Sequence, residues 1–199
     1  MNILTRQICL EILNDLFNSF SIEASVKKNK KFQKLTKTDK SFVKMILFTF
    51  LRRNGEIDYL INQILSTPLK KKNYLISNIL RIGITQIIFL NVKDYSAVST
   101  AVEVTKIKFP GYSKLVNAVL RKACGKKKNF LLETNPIRNL PEWLQKSWES
   151  NYGKVRTQKI AEQIIKLPNL DINIKKLEFD KKSWSNIFDG KNIFKQIVR

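Results

Sequence analysis

Tyr74-Leu75-Ile76-Ser77-Asn78-Ile79-Leu80-Arg81-Ile82-Gly83-Ile84-Thr85-Gln86-Ile87-Ile88-Phe89-Leu90 is apolar nearly all the way round a helix. A helix with no polar face belongs at the centre of a bundle, covered on every side. A buried strand is the competing reading, but 17 residues is too long for one. The most apolar part, Ile82 to Leu90, is interrupted by Thr85 and Gln86. It reaches about half the length that crosses a bilayer, so no membrane span is expected. The stretch carries one charge, Arg81. Burying it unpaired is too costly. Either an internal acid such as Asp39, Asp58 or Glu103 pairs with it, or it points out of one helix end. The ion pair is the favoured reading.

Helices are expected on both sides of this stretch. In Ile3 to Phe20, the residues Ile8, Ile12, Leu13, Leu16 and Phe20 recur at three- and four-residue steps. A polar, lysine-rich piece follows, where Ile22, Ala24 and Val26 leave the form undecided. Thr38-Asp39 predicts a helix start, with Asp39 suited to the positive end of the dipole. Phe42, Val43, Ile46, Leu47, Phe50 and Leu51 give that helix a broad apolar face, and Arg52 and Arg53 fall in its last turn. Gly55 is expected to break it. Ile57, Leu60, Ile61, Ile64 and Leu65 mark the next helix, which Thr67-Pro68 ends. Further on, Ser96 reads as the cap of a helix that buries Val98, Ala101, Val102 and Val104, and Pro110-Gly111 as a turn. Leu115, Val116, Val119 and Leu120 mark another helix, fading into Gly125-Lys126-Lys127-Lys128.

Composition changes after residue 130. The expected division is a helical domain over 1–130, a linker over 131–139 around Asn135-Pro136, and an incomplete subdomain over 140–199. In the last, Pro141 to Tyr152 reads as a short helix with Trp143, Leu144 and Trp148, closed by Gly153. Val155 to Leu167 is a second amphipathic helix, stopped by Pro168. Leu170 to Ile174 alternates as a strand does. The rest is lysine-rich and irregular, and the tail beyond 175 is expected to be loose. The fold class is therefore an all-α bundle followed by the start of a small α+β subdomain.

Several kinds of chemistry are excluded. The chain has 199 residues and no histidine. It cannot build a Ser-His-Asp or Cys-His catalytic set or a His-ligated metal site. Its two cysteines, Cys9 and Cys124, are far apart and form no CxxC. That excludes a disulfide framework and fits a reducing cytoplasm. The six glycines never cluster, so neither a phosphate loop nor a dinucleotide turn is present. No catalytic, cofactor-binding or metal-binding residue is expected within these residues. The N-terminus carries acids by Glu11 and Asp15, unlike a signal peptide.

Three stretches together carry a family resemblance. The first is Thr38-Asp39-Lys40-Ser41-Phe42-Val43, running on to Phe50-Leu51-Arg52-Arg53. The second is Leu80 to Leu90, leading through Asp94 to Ala97-Val98 and Ala101-Val102-Glu103. The third is Leu115-Val116-Asn117-Ala118-Val119-Leu120-Arg121-Lys122. In this order and spacing they resemble the NusB-like helical domain. That domain stands alone in the transcription antitermination factor. It also forms the N-terminal part of the RsmB (Sun/Fmu) family of 16S ribosomal RNA cytosine-C5 methyltransferases. Pro141-Glu142-Trp143-Leu144, with Trp148 and Tyr152-Gly153, is similar to the segment that joins the two halves of those enzymes. The resemblance therefore favours the methyltransferase family over the standalone factor, which ends near residue 135 or 140 on this numbering. Thr49 stands where the family usually has glycine, and Tyr95 and Ser99 where it has histidine and asparagine.

The catalytic half of that family carries a glycine-rich S-adenosylmethionine loop and two cysteines, one after a proline. One cysteine attacks C6 of cytosine and makes C5 reactive. Neither Cys9 nor Cys124 follows a proline. Cys9 reads as a small buried hydrophobe. Lys122 and Lys126 to Lys128 are expected to lower the thiol pKa of Cys124. S-adenosylmethionine thus belongs to the complete family rather than to these residues.

The chain holds 37 lysines and arginines against 16 acids, a formal net charge of +21. That excess predicts a polyanionic partner. Codon bias accounts for the preponderance of lysine but not for the excess of base over acid. The resemblance makes the partner RNA, and ribosomal RNA in particular. Arg52, Arg53, Arg121, Lys122, Lys126, Lys127 and Lys128 are the candidate RNA-binding residues. Lys27, Lys28, Lys30, Lys31, Lys34 and Lys37 form an earlier cluster. Lysine gives point charge without the fork that reads a guanine edge, so phosphate contact is expected rather than base reading. Tyr95 and Tyr112 are minor candidates for stacking. Two further partners are open: a separate methyltransferase domain, or a ribosomal protein if the chain is an antitermination-type adaptor. A helical scaffold with purely compositional charge is the third reading.

Overall fold

In the computed structural model the described residues are 3–16 and 21–168, together with the backbone of three short strands at 172–173, 192–194 and 197–198. The chain divides into two units, Met1–Ile165 and Lys166–Arg199.

The first unit is all-α. Helix α1 (Ile3–Leu16) buries Ile8, Cys9, Ile12 and Leu13, the stripe that the periodicity predicts; 17–20 lie outside the described residues. The undecided lysine-rich piece is two short helices, α2 (Ile22–Lys28) and α3 (Lys30–Gln33). Caps rather than an apolar stripe start them. The Ser21 hydroxyl accepts from the Ala24 N–H at 3.3 Å, and the Asn29 side-chain oxygen accepts from the Phe32 N–H at 2.8 Å. Helix α4 (Lys37–Arg52) begins slightly before the expected Thr38-Asp39 start, because Thr36 is the cap and accepts from the Asp39 N–H at 3.1 Å. The break before α5 (Asn54–Ile64) falls at Arg53, not at Gly55, which lies within α5.

The central stretch is helical throughout, as α6 (Tyr74–Ile84) followed by a π-helical turn, Thr85–Phe89. Ile76, Ile79, Leu80, Ile82, Ile84, Ile87 and Ile88 are all buried. The turn also buries Gln86. Its amide donates to the Ile82 carbonyl at 3.0 Å and its oxygen accepts from the Arg6 Nε at 2.9 Å, tying α1 to the centre. Gly83 lets α8 approach: a Cβ there would lie 2.7 Å from both Leu120 methyls. Arg81 is paired as expected. Its Nε and Nη2 donate to the two oxygens of Asp58, each at 2.7 Å, and its Nη1 donates to the Asn78 oxygen at 2.9 Å.

Helix α7 (Asp94–Lys108) starts at Asp94, and Ser96 lies in its first turn rather than capping it. Pro110–Tyr112 is the expected turn, in 3-10 form. Helix α8 (Ser113–Gly125) does not fade out, because α9 (Lys127–Glu133) follows it at once and buries Phe130.

The expected linker differs from its reading. Pro136–Asn139 is a 3-10 turn docked on α5. Gly55 makes room for it, since a Cβ there would sit 1.7 Å from the Arg138 carbonyl oxygen. The Asn139 side chain bonds Glu56 twice, accepting from its N–H at 3.1 Å and donating to its carboxylate at 2.9 Å. Arg138 stacks on the Tyr59 ring at 3.7 Å. Helices α10 (Glu142–Tyr152) and α11 (Lys154–Ile165) pack on each other, and α11 on the 3-10 turn. The first compact unit therefore runs to Ile165 and takes in the segment after 130.

In the second unit, β1 (Ile172–Asn173) falls inside the expected strand; Leu170, Asp171 and Ile174 lie outside the described residues. It joins β2 (Asn192–Phe194) and β3 (Ile197–Val198) in an antiparallel sheet of order β1-β3-β2, with Ile172 opposite Val198 and Phe194 opposite Ile197. The loose tail expected beyond 175 otherwise lies outside the described residues.

Candidate nucleic-acid interface

Helix α8 determines which basic groups face outward. Val116, Val119, Leu120 and Ala123 are buried at helical spacing. Lys114, Arg121 and Lys122 take the exposed positions. The chain leaves α8 at Gly125, where the Lys126 N–H still bonds the Lys122 carbonyl at 3.1 Å. Lys126 and Lys128 are exposed and Lys127 is half-buried. The Lys127 ammonium donates to the Asn91 oxygen at 2.8 Å. Asn91 has φ +49°, a left-handed conformation that asparagine tolerates. The Arg121 Nε donates to the Asn117 oxygen at 3.2 Å, one turn back on α8.

Among the described residues, no acid pairs with Arg121, Lys122, Lys126, Lys127 or Lys128. Other cations differ. Lys28 pairs with Asp15 at 2.9 Å and Lys31 with Glu11 at 2.7 Å, so the early lysine cluster is partly neutralised. Arg53 donates to the buried Glu56 at 2.9 Å and lies over the Phe89 ring at 4.5 Å, so its guanidinium is already engaged inside the fold. Arg52, half-buried at the end of α4, has no ion pair among the described residues. The structure thus gathers five of the seven candidates at the α8–α9 joint. Helix α9 packs on the Thr85–Phe89 turn that Arg53 also touches.

Cys124 overturns one expectation. Its thiol pKa is raised to about 11, first by burial and then by Asp94, and the neighbouring lysines do not reverse this. Cys9 is fully buried and pushed up to about 12, again by burial. Neither is an activated nucleophile.

Cys124 lies in an open groove of about 520 Å³ between α7 and α8. Val98 and Val102 line it with Cys124, Asn117 and Arg121 form the α8 wall, and Tyr95 stands at the α7 end, 79% exposed. Sequence reading missed this groove, because two helices joined by a turn build it and neither carries its signature alone.

A profile of the NusB family matches residues 4–124. The chain belongs to the NusB family. The matched segment covers the NusB-family bundle from α1 to the end of α8 and leaves α9 to α11 outside it. Similarity to individual proteins reaches further. Ribosomal RNA small subunit methyltransferase B of Shigella flexneri serotype 5b (strain 8401) is 28% identical over 161 residues. The protein of the same name from Escherichia coli (strain K12) is 27% identical over 161 residues. In both cases the similar region is 79% of this chain and 37% of the relative. The chain therefore spans a little over a third of the length of these relatives.

Among the described glycines, Gly55 and Gly83 are closed by Arg138 and Leu120, while Gly111, Gly125 and Gly153 face open space. Among the described residues, no helix is long and apolar enough to cross a membrane.

Proposed function

We propose that this chain is an RNA-binding module of an RsmB-type ribosomal RNA cytosine-C5 methyltransferase. It places the RNA by electrostatic contact, while the chemistry and the S-adenosylmethionine site belong to a separate catalytic half. The chain works in the cytoplasm, with both thiols free. The observation that carries this reading is the reach of the similarity. It extends over 161 residues, whereas the NusB-family match stops at residue 124. A standalone antitermination adaptor needs nothing beyond the bundle. Here the next segment is clamped on the bundle through Glu56, Asn139 and Arg138. The unpaired cations of α8 and α9 supply the phosphate contacts.

A competition assay tests the reading. Labelled small-subunit ribosomal RNA is bound to the chain and displaced with unlabelled RNA. Small-subunit RNA should compete at lower concentration than an unrelated RNA of equal length. Equal competition by both would overturn the ribosomal assignment. Binding that arises only after a ribosomal protein is added would favour the adaptor instead.

A further inference from the structure

We propose that the groove between α7 and α8 receives one unpaired RNA base that bears an exocyclic amino group, stacked on Tyr95. The proposal rests on the RNA-binding reading above and adds a base-reading subsite to a surface otherwise made of phosphate contacts.

Tyr95 is in the first turn of α7, at the groove mouth, and 79% of it meets solvent. An aromatic ring so exposed contributes little to the core. Single-stranded RNA is read by bases splayed out onto such rings. The floor suits the flat face of a base: Val98 and Val102 are apolar, and the Cys124 thiol keeps its proton, with its pKa raised to about 11. The volume, about 520 Å³, is that of a small-molecule site.

The polar groups decide which base. Asp94 and Glu103 line the α7 side. Glu103 is paired with Lys106 at 2.7 Å, and Asp94 has no ion pair among the described residues, so Asp94 is the carboxylate open to a base. The RNA backbone runs past Lys122, Lys126 and Lys128, which are exposed and without acidic partners among the described residues. A carboxylate accepts from a base amino group, which cytosine, adenine and guanine carry and uracil lacks. On the α8 wall, Asn117 uses its oxygen to accept from Arg121 at 3.2 Å. Its amide N–H₂ is left to donate to a ring nitrogen or carbonyl of the same base. A groove for a peptide would not need five unpaired cations beside it, so RNA is the favoured occupant.

The test measures binding of end-labelled single-stranded RNA decamers of C, A or U by fluorescence anisotropy, across a potassium chloride series. Wild type should bind the C and A strands more tightly than the U strand. Tyr95→Ala should weaken the C and A strands at least about fivefold, the low end for loss of one stacked base, without changing the salt slope. Tyr95→Phe should restore them. A C strand carrying one 5-iodocytidine should photocrosslink to Tyr95, as mapped by mass spectrometry. Circular dichroism melting checks that each variant is folded; the exposure of Tyr95 makes loss of folding unexpected, and Asn117→Ala gives a second variant. If all strands bind equally, Tyr95→Ala matches wild type and the crosslink maps elsewhere, the groove proposal is overturned and the RNA-binding reading stands. If no strand binds even at low salt, both are overturned.

Discussion

Arg81 is the one charge on an otherwise apolar central stretch, and both oxygens of Asp58 meet it at 2.7 Å. The need for a partner was legible in the sequence, because a buried guanidinium without one is too costly. Which of three acids would serve was not, since that depends on how α5 lies against α6. Asp58→Ala should lower stability by about 2 kcal/mol, because the guanidinium keeps its desolvation cost and loses both charge-assisted hydrogen bonds. Urea denaturation followed by circular dichroism measures this; a loss below about 0.5 kcal/mol would make the pair a surface contact. The thiols give a pH prediction. In the folded chain Cys124 holds its proton up to about 11, against an ordinary value of 9.0. As pH rises through that window the unfolded chain sheds the proton first, so folding stability should fall with rising pH above about 9. Iodoacetamide at pH 8 should label Cys124 more slowly than a free model thiol and leave Cys9 unlabelled until the chain unfolds. Rapid labelling of Cys124 at pH 8 would restore the activated thiol that the neighbouring lysines suggested.

At the scale of elements, periodicity succeeded where a helix buries a stripe, as in α1, α4, α6 and α8. It failed on α2 and α3, whose starts rest on the Ser21 and Asn29 caps. It also gave no sign that the compact unit continues to Ile165. Asn135-Pro136 looks like a linker locally, but Asn139 reaches back 83 residues to Glu56. No local pattern encodes a contact of that span. Gly55 is the sharpest probe of this joint, since an added Cβ would collide with the Arg138 backbone. Gly55→Ala should therefore free the 131–139 segment for trypsin while the bundle of residues 4–124 persists. Mass spectrometry of the digest reads the cut sites. Unchanged resistance at 131–139 would mean that the turn does not need its seat on α5.

At the scale of the whole molecule, charge excess was legible from composition, and its location was only half so. Five of the seven candidate cations converge at the α8–α9 joint, while Arg53 is engaged with Glu56 and Phe89. The groove beside the joint was invisible, because it exists only when α7 and α8 lie together. The 199 residues alone should transfer no methyl group from labelled S-adenosylmethionine to ribosomal RNA, given the absent glycine-rich loop and Pro-Cys pair. Label found on cytosine C5 would contradict the division of labour proposed here.

The central claim is that unpaired cations at the α8–α9 joint hold RNA by its phosphates. Affinity for a single-stranded ribosomal RNA fragment, titrated in potassium chloride, measures it most directly. Each phosphate neutralised adds about −0.7 to the log–log slope. The triple variant Lys126→Ala, Lys127→Ala, Lys128→Ala should thus flatten the slope by roughly two and weaken binding, with the fold intact. A triple variant with the wild-type slope and affinity would contradict the account.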